Sequence, residues 1–164
     1  MKKDCEKILF GYKLAPSYGR FGKDDGGFSI AIYPDGKAIY KTYIFADIDK
    51  SQKLYSLSNN AIEKIKVIWD EYKTEIDNFQ EHTNNGSCDG DGNFFIFNGK
   101  QITTWNIEFA DENELKTNNP NYYFEYLSII KQENMVLLIF SKIIEILKTQ
   151  GIYLTLCSIE FITK

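Results

Sequence analysis

Apolar and polar residues alternate along several short runs of the chain and recur every three or four positions along two longer ones. Residues 6–14 alternate loosely and predict a first strand with Ile8, Phe10, Tyr12 and Leu14 on one face. The glycine-rich polar run SYGRFGKDDGG (17–27) then reads as a loop. In FSIAIYPDGKAIYKTYIF (28–45), Phe28, Ile30 and Ile32 alternate with Ser29, Ala31 and Tyr33, and a β-branched and aromatic run returns from Ala38 to Phe45. Pro34-Asp35-Gly36 between them is a turn, since proline presets φ and glycine accepts a positive φ. A second hairpin is predicted over 93–97 and 101–109, because Asn98-Gly99 between β-rich runs is a strong short-range hairpin signal.

The period changes after a polar link at 46–53. Ser58 is a good N-cap, and Asn60 with Glu63 offers an alternative capping box. Ile62, Ile65, Trp69, Tyr72, Ile76 and Phe79 then form one apolar stripe of an amphipathic helix, with lysines and acids on the other side. Residues 80–92 read as a loop. TNNPNYYFEY opens a last helical region, with Asn119 as cap and Pro120 at the first helical position. Its apolar positions continue through Tyr123, Leu127, Ile130, Leu137, Ile144 and Leu147 to a stop at Gly151. That length is unusual for a globular helix, so a break near Gln132–Asn134 is predicted. IYLTLCSIEFI (152–162) reads as a closing strand.

Hairpins dominate this order, which predicts one α+β domain over residues 1–164. Its sheet should be largely antiparallel, with about five or six strands and two main helices packed on one face. No β-α-β run carries a glycine fingerprint, which argues against a dinucleotide fold and leaves no cofactor implied. With 43% apolar and 15% aromatic residues the chain has enough to fold around a real core.

Charge narrows the partners. The formal net charge is -4, and Arg20 is the sole arginine among 19 basic residues. Phosphate neutralisation dominates nucleic-acid affinity, so nucleic acid is a poor fit. Cys5, Cys88 and Cys157 are odd in number and far apart, neither a disulfide framework nor a zinc pattern. The apolar runs at Ile8 to Phe10 and Met135 to Phe140 are too short for a signal sequence or a membrane span. A cytoplasmic protein with reduced thiols and no membrane association is the expectation.

One stretch invites a chemical reading. In NNGSCDGDGNFFIFNGKQITTW (84–105), Asp89, Asp91 and Asn93 are spaced like positions 1, 3 and 5 of a calcium loop. The pattern then fails, because Phe94 stands where glycine is needed and Lys100 where a bidentate glutamate is needed. These three residues are therefore weak metal candidates only. As a catalytic pair, Asp89 and Asp91 would need burial or a like-charge neighbour to shift a pKa, and a glycine-flanked loop predicts solvated carboxylates. His82 is the only histidine, which excludes a multi-histidine site within one chain, and its pairing with Cys88 lacks a third, orienting group. The second glycine-rich loop, with Arg20, Lys23, Asp24 and Asp25, lacks the G-K-[ST] ending of a phosphate loop.

FSIAIYPDGKAIYKTY followed by a Leu-Ser-initiated helix resembles a recurring unit of small uncharacterised bacterial proteins, as does the block SCDGDGNFFIFNGKQITTWNI. The whole chain resembles the small acidic α+β immunity proteins of bacterial toxin systems. The resemblance implies a binding protein and carries over no catalytic residue. The expected function is thus non-enzymatic capture of a basic protein partner through Asp89, Asp91, Asn93, Arg20, Asp24 and Asp25. The alternative is a small metal-assisted hydrolase centred on Asp89 and Asp91 with His82.

Overall fold

The computed structural model describes residues 8–15, 26–44, 48–81, 92–104, 112–118, 120 and 123–154. They belong to two compact units, Met1–Asn106 and Ile107–Lys164. The first holds β1 (Phe10–Ala15), β2 (Phe28–Ile32), β3 (Lys37–Ile44), β4 (Ile48–Ser56), α1 (Asn59–Asp77), β5 (Gly92–Phe97) and β6 (Lys100–Thr104). The second holds α2 (Glu112–Asn118) and α3 (Tyr123–Thr149). The expected α+β class is what the chain adopts, with an open six-stranded sheet ordered β4-β3-β2-β1-β5-β6 and every pairing antiparallel.

Both hairpin turns form where the turn residues stand. Gly36 has φ 87°, and Asn98 and Gly99 have φ 46° and 89°, the double positive φ that a two-residue hairpin of the favoured twist requires. Period-two alternation then sets the faces. Phe10, Tyr12 and Leu14 of β1, Ile30 and Ile32 of β2, Ala38 of β3, Phe95 and Phe97 of β5, and Ile102 of β6 are all buried on one side.

α1 lies across the hairpin end of that buried face. Ser58 caps it, its Oγ accepting from the Ala61 N–H at 3.2 Å. The Leu57 N–H donates to the Gly36 carbonyl, which ties the helix start to the β3 turn. At the other end Lys100 Nζ donates to the Asp77 carbonyl, which ties the helix end to β6. From β3 to β6 is four strand spacings, about 19 Å, and a 19-residue helix spans about 28 Å. The helix therefore crosses the strands rather than following them. Ala61, Ile62, Ile65, Ile68 and Ile76 are buried beneath it. Each buried isoleucine contributes about 1.5–3 kcal/mol of transfer free energy, which outweighs the poor stability of a helix this size alone in water.

Three elements depart from the sequence reading. Residues 48–53, read as part of a polar link, belong to β4, whose side chains are exposed at eight of its nine positions. An edge strand wet on both faces has no apolar alternation to betray it; it forms because β3 offers it backbone partners. The expected break near Gln132–Asn134 is absent, and α3 runs unbroken over 27 residues. It contains neither proline nor glycine, so nothing interrupts its hydrogen-bond ladder. It begins at Tyr123, three residues after Pro120, and α2, which the periodicity did not suggest, precedes it. Lys116 of α2 lies over the Tyr123 ring at 5.1 Å. Gly151 stops α3 as expected: its φ is 75°, and the Ile152 and Gly151 N–H groups return to the Leu147 and Lys148 carbonyls. No helix among the described residues is long and apolar enough to cross a membrane. Residues 105–109 and 155–162, predicted as strand, lie outside the described residues.

Two glycines separate conformational strain from steric exclusion. Both have φ well above zero, but a Cβ on Gly36 would lie 2.8 Å from the Leu57 carbonyl oxygen, whereas one on Gly151 would meet nothing within 4 Å. Gly151→Ala is expected to cost about 1 kcal/mol, the left-handed penalty alone. Gly36→Ala should cost at least about 2 kcal/mol, because it also disturbs the bond that starts α1. Urea denaturation midpoints of the two variants check this, and equal losses would refute it.

Candidate functional site

Strand pairing brings the stems of the predicted contact loops to one end of the sheet. Ala15, the last residue of β1, pairs with Gly92, the first of β5, and Leu14 pairs with Phe28, the first of β2. Phe28 in turn pairs with Thr42, and beyond Thr42 the β3–β4 hairpin continues to the facing pair Ile44 and Ile48. Thr104, the last residue of β6, pairs with Asn93. The strand ends at Ala15, Phe28, Ile44, Ile48, Gly92 and Thr104 therefore lie at one end of the sheet. Arg20, Asp24, Asp25, Asp89 and Asp91, together with His82 and Cys88, lie outside the described residues.

Asn93 is the one candidate of the set that is described. It is only 6% exposed. Its Oδ1 accepts a hydrogen bond from Tyr12 Oη at 2.7 Å, within the core and across neighbouring strands. β5 alternates with Asn93, Phe95 and Phe97 on the buried side, so the same pleat that seats the two phenylalanines seats the amide. Asn93 thus satisfies a buried tyrosine hydroxyl. Opposite it, Thr104 is fully buried, and its Oγ1 has no hydrogen-bond partner among the described residues. Around this polar end the rings form a continuous path: Tyr12 lies 5.6 Å from Phe28 and 5.0 Å from Phe95, and Phe28 lies 5.7 Å from Tyr40. Burial, with Tyr55 nearby, holds the Tyr40 hydroxyl above its usual pKa.

The same end presents features that sequence reasoning missed. Ile44 and Ile48 face each other across the β3–β4 hairpin, 40% and 63% exposed. Ile44 was visible as the end of a β-rich run, but Ile48 was hidden in a polar context. Beside them Asp49 accepts from Lys41 Nζ at 2.7 Å, and this bond holds Lys41 above its usual pKa. On the opposite face of the sheet, Lys13 Nζ lies over the buried Tyr43 ring at 5.2 Å, and the Tyr43 and Ser29 hydroxyls share a 2.6 Å hydrogen bond. Phe94, 38% exposed, folds over Gly92, where a Cβ would come within 3.0 Å of its ring. Among the described residues no group of three or more His, Cys, Asp and Glu side chains could hold a metal ion. What the described part of this end offers is an exposed apolar pair with ionic and aromatic groups around it.

Two substitutions test the internal role of the polar pair. Asn93→Ala removes the acceptor of a buried hydroxyl and should lower stability by about 1–3 kcal/mol. Thr104→Val exchanges an unsatisfied buried hydroxyl for a methyl group and should leave stability unchanged or raise it by up to about 1 kcal/mol. Chemical denaturation of both variants measures this; an Asn93→Ala variant as stable as the parent would contradict the assignment. No protein-family model matches this chain, and no curated protein matches it either.

Proposed function

We propose that this chain is a non-enzymatic, cytoplasmic protein-binding domain of the immunity type, which captures a basic partner at the loop end of its sheet. The observation that carries the reading is the adjacency of the stems at Ala15, Phe28 and Gly92. Two segments far apart in sequence, one with Asp24 and Asp25 and one with Asp89 and Asp91, leave the sheet from neighbouring strands. Asp49, ion-paired with Lys41, adds a carboxylate on β4 at the same end.

The chemistry suits a protein contact. Interfaces join a small apolar centre to a polar rim, and long-range charge speeds encounter more than it tightens the final complex. Ile44 and Ile48 supply exposed apolar area, and the aspartates supply a negative field that attracts lysine- and arginine-rich surfaces. Asn93 contributes from beneath, by holding β5 to β1 next to the Gly92 stem.

Partner capture from lysate of the native host tests the proposal. The wild-type chain should recover a basic protein whose binding weakens as salt rises. Asp89→Asn combined with Asp91→Asn should reduce capture about three- to tenfold, as expected for two rim charges, with no change in the chain's melting temperature. Ile48→Asp should reduce it further by charging the apolar centre. Undiminished capture by the double variant would remove these aspartates from the surface, and recovery of an acidic partner would reject the reading as a whole.

A further inference from the structure

Among the described residues β4 ends the sheet and pairs only with β3, so one side of its backbone faces outward. The phase of the hydrogen bonds identifies which residues do so. The Leu57 N–H donates to the Gly36 carbonyl at 2.8 Å, so Leu57 and Gly36 form a hydrogen-bonded pair. Such pairs recur at every second residue in an antiparallel ladder, which makes Tyr55 with Ala38, Lys53 with Tyr40, and Ser51 with Thr42 the next ones. The far side of β3 agrees, because Tyr43 donates to Gly27 and Tyr33 donates to Lys37, which assigns the alternate residues of β3 to β2. Gln52, Leu54 and Ser56 therefore turn their N–H and C=O groups to the free edge. All three are exposed, Leu54 at 62%.

The usable edge is short. The register shifts between Thr42 and Tyr43, which pair with Ser51 and Asp49 and leave Lys50 as the extra residue. A bulge and lysines are common guards against indiscriminate strand pairing. The regular run from Ser51 to Ser56 is what remains open.

We propose that this edge pairs with the same edge of a second copy, antiparallel, about a twofold axis through Leu54. That register sets Leu54 against Leu54 of the second copy, Gln52 against its Ser56, and Lys53 against its Tyr55. Every outward group then meets an outward group, and facing residues share a face of the joined sheet. The two exposed leucines cover each other, and each lysine lies beside an aromatic ring. Neighbouring registers do worse. An axis through Lys53 brings two ammonium groups opposite one another. An axis through Gln52 sets Leu54 against the irregular Lys50. An axis through Tyr55 sets Gln52 against Ser58, where the chain already turns into α1. Five facing residues a side fall well below the roughly twenty to thirty of a standard interface, so the dimer dissociates on dilution. This inference does not depend on the acidic surface proposed above.

Sedimentation equilibrium of the whole chain tests it, and a monomer–dimer equilibrium is the expected result. Gln52→Pro deletes one outward N–H and no bond to β3, and Leu54→Lys sets like charges across the axis. Each should lower the association constant at least about tenfold, or 1.4 kcal/mol, with the circular dichroism spectrum unchanged. Under mild oxidation Leu54→Cys should give covalent dimer beyond the wild-type background, because the facing Cα atoms of a hydrogen-bonded pair lie about 5.5 Å apart. Lys53→Cys should not. The proposal is overturned by a wild-type chain that stays monomeric at roughly 1 mM, as an edge reserved for another protein's peptide would. A dimer indifferent to both edge variants, or cross-linking through Lys53→Cys in place of Leu54→Cys, overturns it equally.

Discussion

The position of β1 is the constraint on which the rest of the sheet unit depends. It is paired on both sides, with β2 and with β5, and its inward residues Phe10, Tyr12 and Leu14 meet inward residues of both neighbours. The rings of Phe28, Tyr12, Phe95, Phe97 and Phe10 follow one another at centroid distances of 5.0–5.8 Å. A slip of one residue would turn Lys13 inward among those rings and expose Tyr12, a buried charge without a carboxylate to meet it. The other face adds a second lock. Ile96 lies over Gly11 so closely that a Cβ there would sit 3.1 Å from it. β5 fits β1 only in the register that sets these two residues opposite each other.

From that register the candidate surface follows. Ala15 and Gly92 are partners only because Phe10 and Phe97 are, at the far end of the same ladder. The tyrosine–asparagine bond closes the core just inside these stems, so the apolar interior ends at a defined plane. The strand ends there are fixed by the ladder itself. α1 braces the opposite, hairpin end, bonded to Gly36 at its start and to Lys100 near its finish. The hairpin end is thus covered by α1, and the strand ends at Ala15, Phe28 and Gly92 lie at the other.

What could be read in the chain beforehand was whatever is encoded locally. Pro34-Asp35-Gly36 and Asn98-Gly99 need backbone angles that few residues adopt, so they declare themselves. The stripe of α1 and its Ser58 cap are likewise contained within a few turns. Asn93 was ambiguous because two local patterns overlap on it. Its spacing from Asp89 and Asp91 suggests a ligand, whereas its parity with Phe95 and Phe97 places it inside, and the strand periodicity prevails because three strands enforce it. The insertion of β1 between β2 and β5 could not be read, since it joins residues some eighty positions apart, as with Tyr12 and Asn93. β4 could not be read either, because its partner supplies the reason for its shape.

The two proposed surfaces also constrain one another. A twofold axis through Leu54 and normal to the sheet joins the β4 strands antiparallel. The strands of the second copy then run oppositely throughout, so its loop end points the opposite way. The aspartate-bearing segments of the two copies would leave from opposite ends of the joined sheet, beyond the screening length of about 10 Å at ordinary salt. Pairing through β4 therefore adds little repulsion between the acidic ends, whereas pairing through those ends would bring their carboxylates together. Under both proposals it would also leave each acidic end open to a partner and make the dimer bivalent. A tether across the span of a strand-paired dimer could engage both ends only if it were long, so two separate partner molecules fit better than one wrapped around both. On these two proposals the lysine-bearing edge and the acidic end would divide two kinds of contact by charge: self-association at the edge, and capture of a basic surface at the end.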